Sequence, residues 1–131
     1  MINEKKFADT YVHFDRETVV EIIDIFLEEY NERIEKITKQ LKNRDFEELK
    51  KSAHAFKGVI ANFETECNAY DEISEILEES HQLAENEDFD DMTEEEQEEI
   101  LEKLSIKFSA FKRNSRQMYK QLKEIRKNYE D

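Results

Sequence analysis

The chain has no proline, no tryptophan, one glycine and one cysteine in 131 residues. Because glycine and proline supply the tight turns between strands, their near absence excludes a turn-rich β protein. It also excludes a glycine-rich loop of the kind that cradles nucleotide phosphates. The one cysteine, Cys67, cannot form an internal disulfide, and we expect it to pack as a small apolar residue, as is usual in a reducing compartment.

Long apolar runs are also missing. No segment approaches the ~20 apolar residues that cross a bilayer, and the first residues lack the apolar core of a secretion signal. The sequence therefore predicts a cytoplasmic protein that does not bind membranes. The formal net charge is −14. Since phosphate backbones bind basic surfaces, we expect no nucleic acid partner.

The charges are unevenly distributed along the chain. From Val59 to Glu102 there are eighteen acidic residues and no lysine or arginine, whereas nine of the twenty basic residues follow Glu102. We interpret the acidic block as a solvated face, and a site for a cation or a basic partner is the alternative.

Charged residues make up 41% of the chain and hydrophobic residues 37%. This composition is typical of long amphipathic helices. We expect one all-α domain over residues 1–131, which is long enough to bury a core without disulfides or metals.

Helix start and stop signals divide the chain into a short N-terminal helix around Phe7 and four longer helices. The predicted N-caps of the longer helices are Asp15, Asp45, Thr65 and Thr93. We expect the third long helix to reach about Ala84 or Asn86, with Cys67, Tyr70, Ile73, Leu77 and Ala84 on its core face. Short connections make neighbouring helices antiparallel, so the predicted fold is an up-down four-helix bundle with an additional short N-terminal helix.

The second long helix carries the most informative stretch. Its apolar residues recur at steps of three and four and predict a buried stripe of Phe46, Leu49, Ala53, Phe56, Ile60 and Phe63. His54 lies well off that stripe. Lys50 is one turn before it, Lys57 and Gly58 are one turn after it, and Ala61 is two turns after it. We therefore expect His54 to face water among basic residues.

Gly58 is unexpected inside a helix, where glycine costs roughly 0.5–1 kcal/mol relative to alanine. Its position four residues after His54 removes the Cβ that would crowd the imidazole. A bulky group on a partner can then reach a ring nitrogen. Lys57 beside it can neutralise an anion held there.

His54-Ala55-Phe56-Lys57-Gly58, followed by Asn62-Phe63, resembles the His-x-x-Lys-Gly signature of histidine-containing phosphotransfer (HPt) domains. The order of predicted helices from about Asp15 to Tyr129 also resembles the HPt four-helix bundle. The chain departs from the family at Glu64, where a second glycine is usual, and at Val59, where a smaller residue is typical. These departures concern the helix junction and the fit of a partner rather than the phosphate chemistry.

The resemblance implies that His54 accepts a phosphoryl group from a receiver-domain aspartate or a histidine kinase and passes it to another receiver. Lys57 would stabilise the phosphate and Gly58 would give access. The implied partners are response-regulator receiver domains or a hybrid histidine kinase. We expect no cofactor and no metal in this chain, because the partner supplies Mg²⁺, and no kinase activity of its own. We also expect a monomer.

Two other functions remain open from the sequence. One is a structural or scaffold bundle in which His54 is incidental, and the other is the phosphorylated module of a chemotaxis-type kinase. A carboxylate-bridged metal site needs two Glu-x-x-His pairs, and only Glu78 with His81 matches. We interpret His13 and His81 as surface residues.

A docking surface for the receiver is predicted next to His54. Ile25 lies about 140° around its helix from the core residue Tyr30, so we expect it to face water, with Ile22 on the flank of the same helix. The predicted partner-binding residues are Ile22, Ile25, Lys50 and Ala61.

Overall fold

The computed structural model describes residues 1–130, except for the side chain of Glu87, and is all α-helical over that range. Its α-helices are α1 (Glu4–Thr10), α2 (Arg16–Lys42), α3 (Phe46–Ala61), α4 (Asn68–Glu85) and α5 (Glu94–Lys127). A single 3₁₀ turn (Glu87–Phe89) lies between α4 and α5. None of the described helices is both long enough and apolar enough to span a membrane.

Three of the four predicted caps are confirmed. Asp15, Asp45 and Thr93 each accept a hydrogen bond from the backbone N–H three residues further on, which satisfies a donor that the helix leaves unpaired. The prediction for α4 is wrong, because this helix begins at Asn68 rather than after Thr65. Its N-cap residue is Cys67, which makes no side-chain capping bond.

The reversal between α2 and α3 occurs at Arg44, whose φ of 55° lies in the left-handed region. Only glycine, asparagine and aspartate adopt that region readily, so this arginine carries some strain. Its N–H donates to the Leu41 carbonyl at 3.2 Å, which helps to close the end of α2.

The contacts between α2 and α3 run in opposite order along the two helices. Phe26 lies 5.4 Å from Phe63 between ring centroids, and Tyr30, one turn later in α2, lies 6.1 Å from Phe56. α2 and α3 are therefore antiparallel neighbours.

The contacts of α5 show the same reversal. Against α4, Lys107 bonds to Glu79, and Asn114 bonds to Glu72 at 2.9 Å. Against α2, the Tyr30 hydroxyl hydrogen-bonds to the Ser115 hydroxyl at 2.7 Å, which satisfies two polar groups in the core. α3 packs on α2 and α4, and α5 does the same from the other side.

The predicted core of α3 is confirmed, since every residue of its stripe is buried. The core face predicted for α4 is correct only in part. Ile73 is fully buried, but so are Ile76 and Ser80, whereas Tyr70 and Leu77 are only partly buried. α4 lies between α3 and α5, so its buried face is turned relative to the predicted one.

α1 lies across the end of α3, where Phe7 stacks on Phe63 at 6.3 Å. Glu64 fixes this arrangement with a carboxylate whose side chain is 3% exposed. It accepts hydrogen bonds from the backbone N–H groups of Asn3 (2.8 Å), Thr65 (3.2 Å) and Glu66 (3.2 Å). The residue that stands in place of the family glycine therefore holds the α3–α4 junction and the N-terminus together.

Candidate functional site

His54 lies on the solvent side of α3, opposite the buried stripe, and is exposed. The position predicted from the helical period is confirmed. α3 holds the histidine firmly, because the other side of the helix is anchored in the core by the fully buried residues Leu49, Ala53 and Phe56.

The space next to the imidazole is open on the side of Gly58. A Cβ added at this position would meet no atom within 4 Å, and the backbone φ is not in the left-handed region. Neither tight packing nor backbone conformation therefore requires the glycine. The expectation that a Cβ here would crowd the imidazole is wrong, because the added atom would not reach the His54 ring. Access for the larger surface of a partner is the reason that we still predict for the glycine.

Lys57 is partly buried, and its ammonium lies 5.4 Å from the centroid of the Tyr70 ring on α4. Over the described residues it forms no salt bridge, whereas Lys50 pairs with Glu47 at 3.2 Å. Lys51, which is also within one turn of His54, pairs with Glu48, so Lys57 has the least compensated charge of the three. Its charge is therefore the most available to an anion on this side of α3.

A groove of about 380 Å³ lies between α2 and α3, on the side of α3 that carries Ser52 and Ala55 rather than His54. Ser52 and Ala55 line its α3 side, and Glu29, Glu32 and Lys36 lie on its α2 side. A docking partner would therefore meet a mixed-charge surface here that the sequence did not reveal.

Ile25 and Ile22 continue the same side of α2 toward its N-terminus. Ile25 is 52% exposed and precedes Glu29 by one turn, whereas Ile22 is partly buried against the core. Since the next residue, Phe26, contacts Phe63, the patch lies level with the end of α3, about two turns from His54. The exposure predicted for Ile25 is confirmed, and docking at the patch stays a prediction.

Ala61 is exposed two turns after His54 and lines a small groove against α1, together with Lys6, Thr10 and Tyr11. This groove brings the N-terminal segment to the histidine-bearing side of the molecule.

Two exposed apolar residues near this end were not predicted from the sequence to belong to the surface around α3. Val12 is 65% exposed and Phe14 is 49% exposed, and the Tyr11 hydroxyl between α1 and this segment donates to the Asn62 carbonyl at 2.7 Å. Only the tertiary contact places them beside α3, so no local pattern could have identified them.

The other two histidines are exposed and lie outside α3. His81 lies 3.4 Å from Glu85 on α4, and His13 lies between α1 and α2. Within residues 1–130, no group of three His, Cys, Asp or Glu side chains is close enough to hold a metal ion.

An exposed histidine on a helix of an all-α domain, followed by a lysine and an open glycine, forms an open surface rather than an enclosed cavity. The Hpt domain family model matches residues 21–124, and the chain belongs to that family. Hpt domains act in phosphotransfer within two-component signalling. No curated protein and no solved structure matched the chain.

Proposed function

We propose that His54 is the phosphoryl acceptor and donor of this Hpt domain. It would take the group from a receiver-domain aspartate or a hybrid histidine kinase and pass it to another receiver. The observation that carries the proposal is the pairing of an exposed His54 with the open position at Gly58, on a helix whose other face is rigidly buried.

In the transfer, an unprotonated imidazole nitrogen attacks phosphorus. An N–P bond forms as the P–O bond to the aspartyl group breaks, and the aspartate leaves as a carboxylate. Lys57 would balance the phosphoryl charge from the Tyr70 side. The receiver would supply Mg²⁺, so this chain would need no cofactor and would have no kinase activity of its own.

The arrangement of the helices supports this function. The contacts described above favour an antiparallel, up-down four-helix bundle with α1 across one end. In that arrangement α3 presents His54 to a partner, while the neighbouring α2 presents Ile25 and Ile22. A receiver docking on this surface would cover Lys50 and Ala61 as well.

A label-transfer experiment tests the proposal. A receiver carrying ³²P on its aspartate is mixed with the protein in the presence of Mg²⁺, and acid-labile, base-stable label on this chain is measured. We expect the wild-type protein to take up label and His54→Gln to take up none, with unchanged helical content and cooperative melting.

The other two histidines provide matched controls. His13→Gln and His81→Gln should accept label as the wild type does, because neither histidine lies on α3 next to Lys57 and Gly58. Label on His54→Gln, or its loss in His81→Gln alone, would refute the assignment. Absence of label from every variant and from the wild type with all receivers tested would favour a scaffold role instead.

A further inference from the structure

The outer face of α5 carries a line of exposed residues directly opposite its buried side. Steps of four and three residues, the spacing of a coiled-coil seam, connect its members. In chain order they are Glu95, Glu99, Glu102, Ile106, Ser109, Arg113, Arg116 and Lys120, all exposed. The part of the chain that the structure describes contains nothing that packs on this line.

Charge is segregated along the line. Its first three members are acidic and its last three are basic, with Ile106 and Ser109 between them. Like charges three or four residues apart along the line repel, and the exposed pair of Glu99 with Lys103 at 3.8 Å compensates only one member of it. The helix dipole favours acids in the first turn and bases in the last turn, but Glu102 and Arg113 lie well inside α5. A partner with the opposite order of charges would explain the arrangement.

We propose that this partner is a second copy of the same chain, paired antiparallel through α5. In this register Glu99 meets Arg116 of the second copy, Glu102 meets its Arg113, and each contact recurs by the two-fold axis. Glu95 likewise meets Lys120. A parallel pair would instead place acids on acids and bases on bases, so the charges specify the antiparallel orientation.

The middle of the line also fits a second helix. A shallow hollow of about 340 Å³ surrounds Ile106, and its other lining residues include Ser105, Ser109 and Ala110. Ile106 is 63% exposed, which leaves most of an apolar side chain in water. In the antiparallel register Ile106 of one copy lies against Ser109 of the other, where small side chains let the two helices approach closely.

Other occupants fit less well. A membrane surface or a nucleic acid would meet the acidic half of the same line and a protein of net charge −14. A two-fold pair is closed, so it stops at two copies. Because α3 packs on α2 and α4 rather than on α5, both His54 side chains stay free in the pair. The inference thus stands apart from phosphotransfer and replaces the monomer expected from the sequence.

Reciprocal charge reversal tests the pairing by sedimentation velocity on the full chain. The wild type should form a dimer as its concentration rises. E99K/E102K and R113E/R116E should each weaken self-association at least about tenfold, because attractive contacts become like-charge contacts. An equimolar mixture of the two variants should form heterodimers, since every charged pair of the antiparallel register then again joins opposite charges.

If net charge alone controlled self-association, E99K/E102K would dimerise at least as well as the wild type. Each Glu→Lys change adds two positive charges, so E99K/E102K changes the net charge from −14 to −10 and lowers the general repulsion between copies. The control E28K/E35K makes the same change at exposed positions on α2 and should dimerise at least as well as the wild type. A wild type that stays monomeric at its highest soluble concentration would overturn the inference. So would homodimers of either charge-reversed variant as tight as those of the wild type.

Discussion

The Lys57 ammonium lies 5.4 Å from the centroid of the Tyr70 ring, so a lysine of α3 is held against an aromatic residue of α4. The ring attracts the cation, and the lysine stem can lie along apolar surface. The charge is thereby kept one turn after His54, while its ammonium forms no salt bridge in the described chain. In the phosphotransfer that we propose, this contact would hold a positive charge near the phosphoryl group without neutralising it beforehand.

Lys57→Ala is expected to slow transfer to His54 or to shorten the lifetime of the phosphorylated state without abolishing either. The change removes charge stabilisation and leaves the nucleophile in place. Rates of gain and loss of label measure both effects. Lys51→Ala is the matched control, since Lys51 is exposed and pairs with Glu48 at 3.3 Å. Equal rates for the wild type and Lys57→Ala would remove Lys57 from the mechanism.

Substitutions at Gly58 can separate the effect of helix propensity on stability from the effect of side-chain size on a partner's access to His54. Gly58→Ala should stabilise the protein by about 0.5–1 kcal/mol, because a Cβ meets nothing within 4 Å and glycine is the poorer helix former. Gly58→Leu should also fold but should impair phosphoryl transfer, since its side chain extends toward the imidazole. Urea denaturation and label transfer give the two readouts. Full transfer activity in Gly58→Leu would show that the position does not control access.

Ile25→Asp is expected to weaken receiver binding by about 1 kcal/mol, roughly fivefold in Kd, with little change in stability. The exposed isoleucine would pack against the receiver, and the aspartate would place an unpaired charge there. Titration of a receiver into isotope-labelled protein should shift the signals of Ile22 and Ile25 along with those near His54. Ile106→Asp is the control, because Ile106 is similarly exposed on the far side of the bundle. If the signals of Ile22 and Ile25 do not shift during the titration, the docking surface lies elsewhere.

Glu64→Gln should destabilise the protein by about 1–3 kcal/mol, because an amide cannot accept all the backbone hydrogen bonds that the carboxylate accepts. Denaturation followed by circular dichroism measures this loss. Glu66→Gln is the control, since the side chain of Glu66 is 84% exposed and should contribute little.

The same residue predicts a pH dependence. Burial alone would raise the pKa of Glu64. Hydrogen bonds from the Asn3 and Glu66 N–H groups and the charge of Lys6 together outweigh this effect, so the pKa lies below the ordinary value of 4.5. A depressed pKa stabilises the folded state above 4.5, and that stability is lost as the pH falls through the folded-state pKa. The gap between wild type and Glu64→Gln should therefore be constant near neutral pH and shrink in acid. A gap that grows on acidification would contradict this role.

The local signals in the sequence were sufficient for most of the helices. Caps such as Asp15 and Thr93 act on the next three residues, and the stripe through Phe56 follows directly from the helical period, so both were predictable. The same helical period also predicted that His54 is exposed. The start of α4 was not predictable in this way, because its N-cap residue Cys67 makes no side-chain capping bond. The buried carboxylate of Glu64 instead accepts from two N–H groups of the junction and from that of the distant residue Asn3.

The surroundings of the site were the less predictable part. The contact of Lys57 with Tyr70, the groove beside Ser52 and the position of Phe14 all depend on which helices become neighbours. Distances in sequence do not determine those contacts. The partner-binding residues therefore remain predictions. The position of His54 on an exposed helix face, in contrast, does not depend on which helices become neighbours.

The most direct test of the account is the long-range ¹H–¹⁵N spectrum of the imidazole rings in protein labelled at its three histidines. It is recorded before and after a phosphorylated receiver and Mg²⁺ are added. We expect that the ring nitrogens of His54 alone acquire the shifts of phosphohistidine, while those of His13 and His81 stay unchanged. Phosphohistidine shifts at another ring, or none at His54 with a receiver that loses its phosphoryl group to this protein, would contradict it.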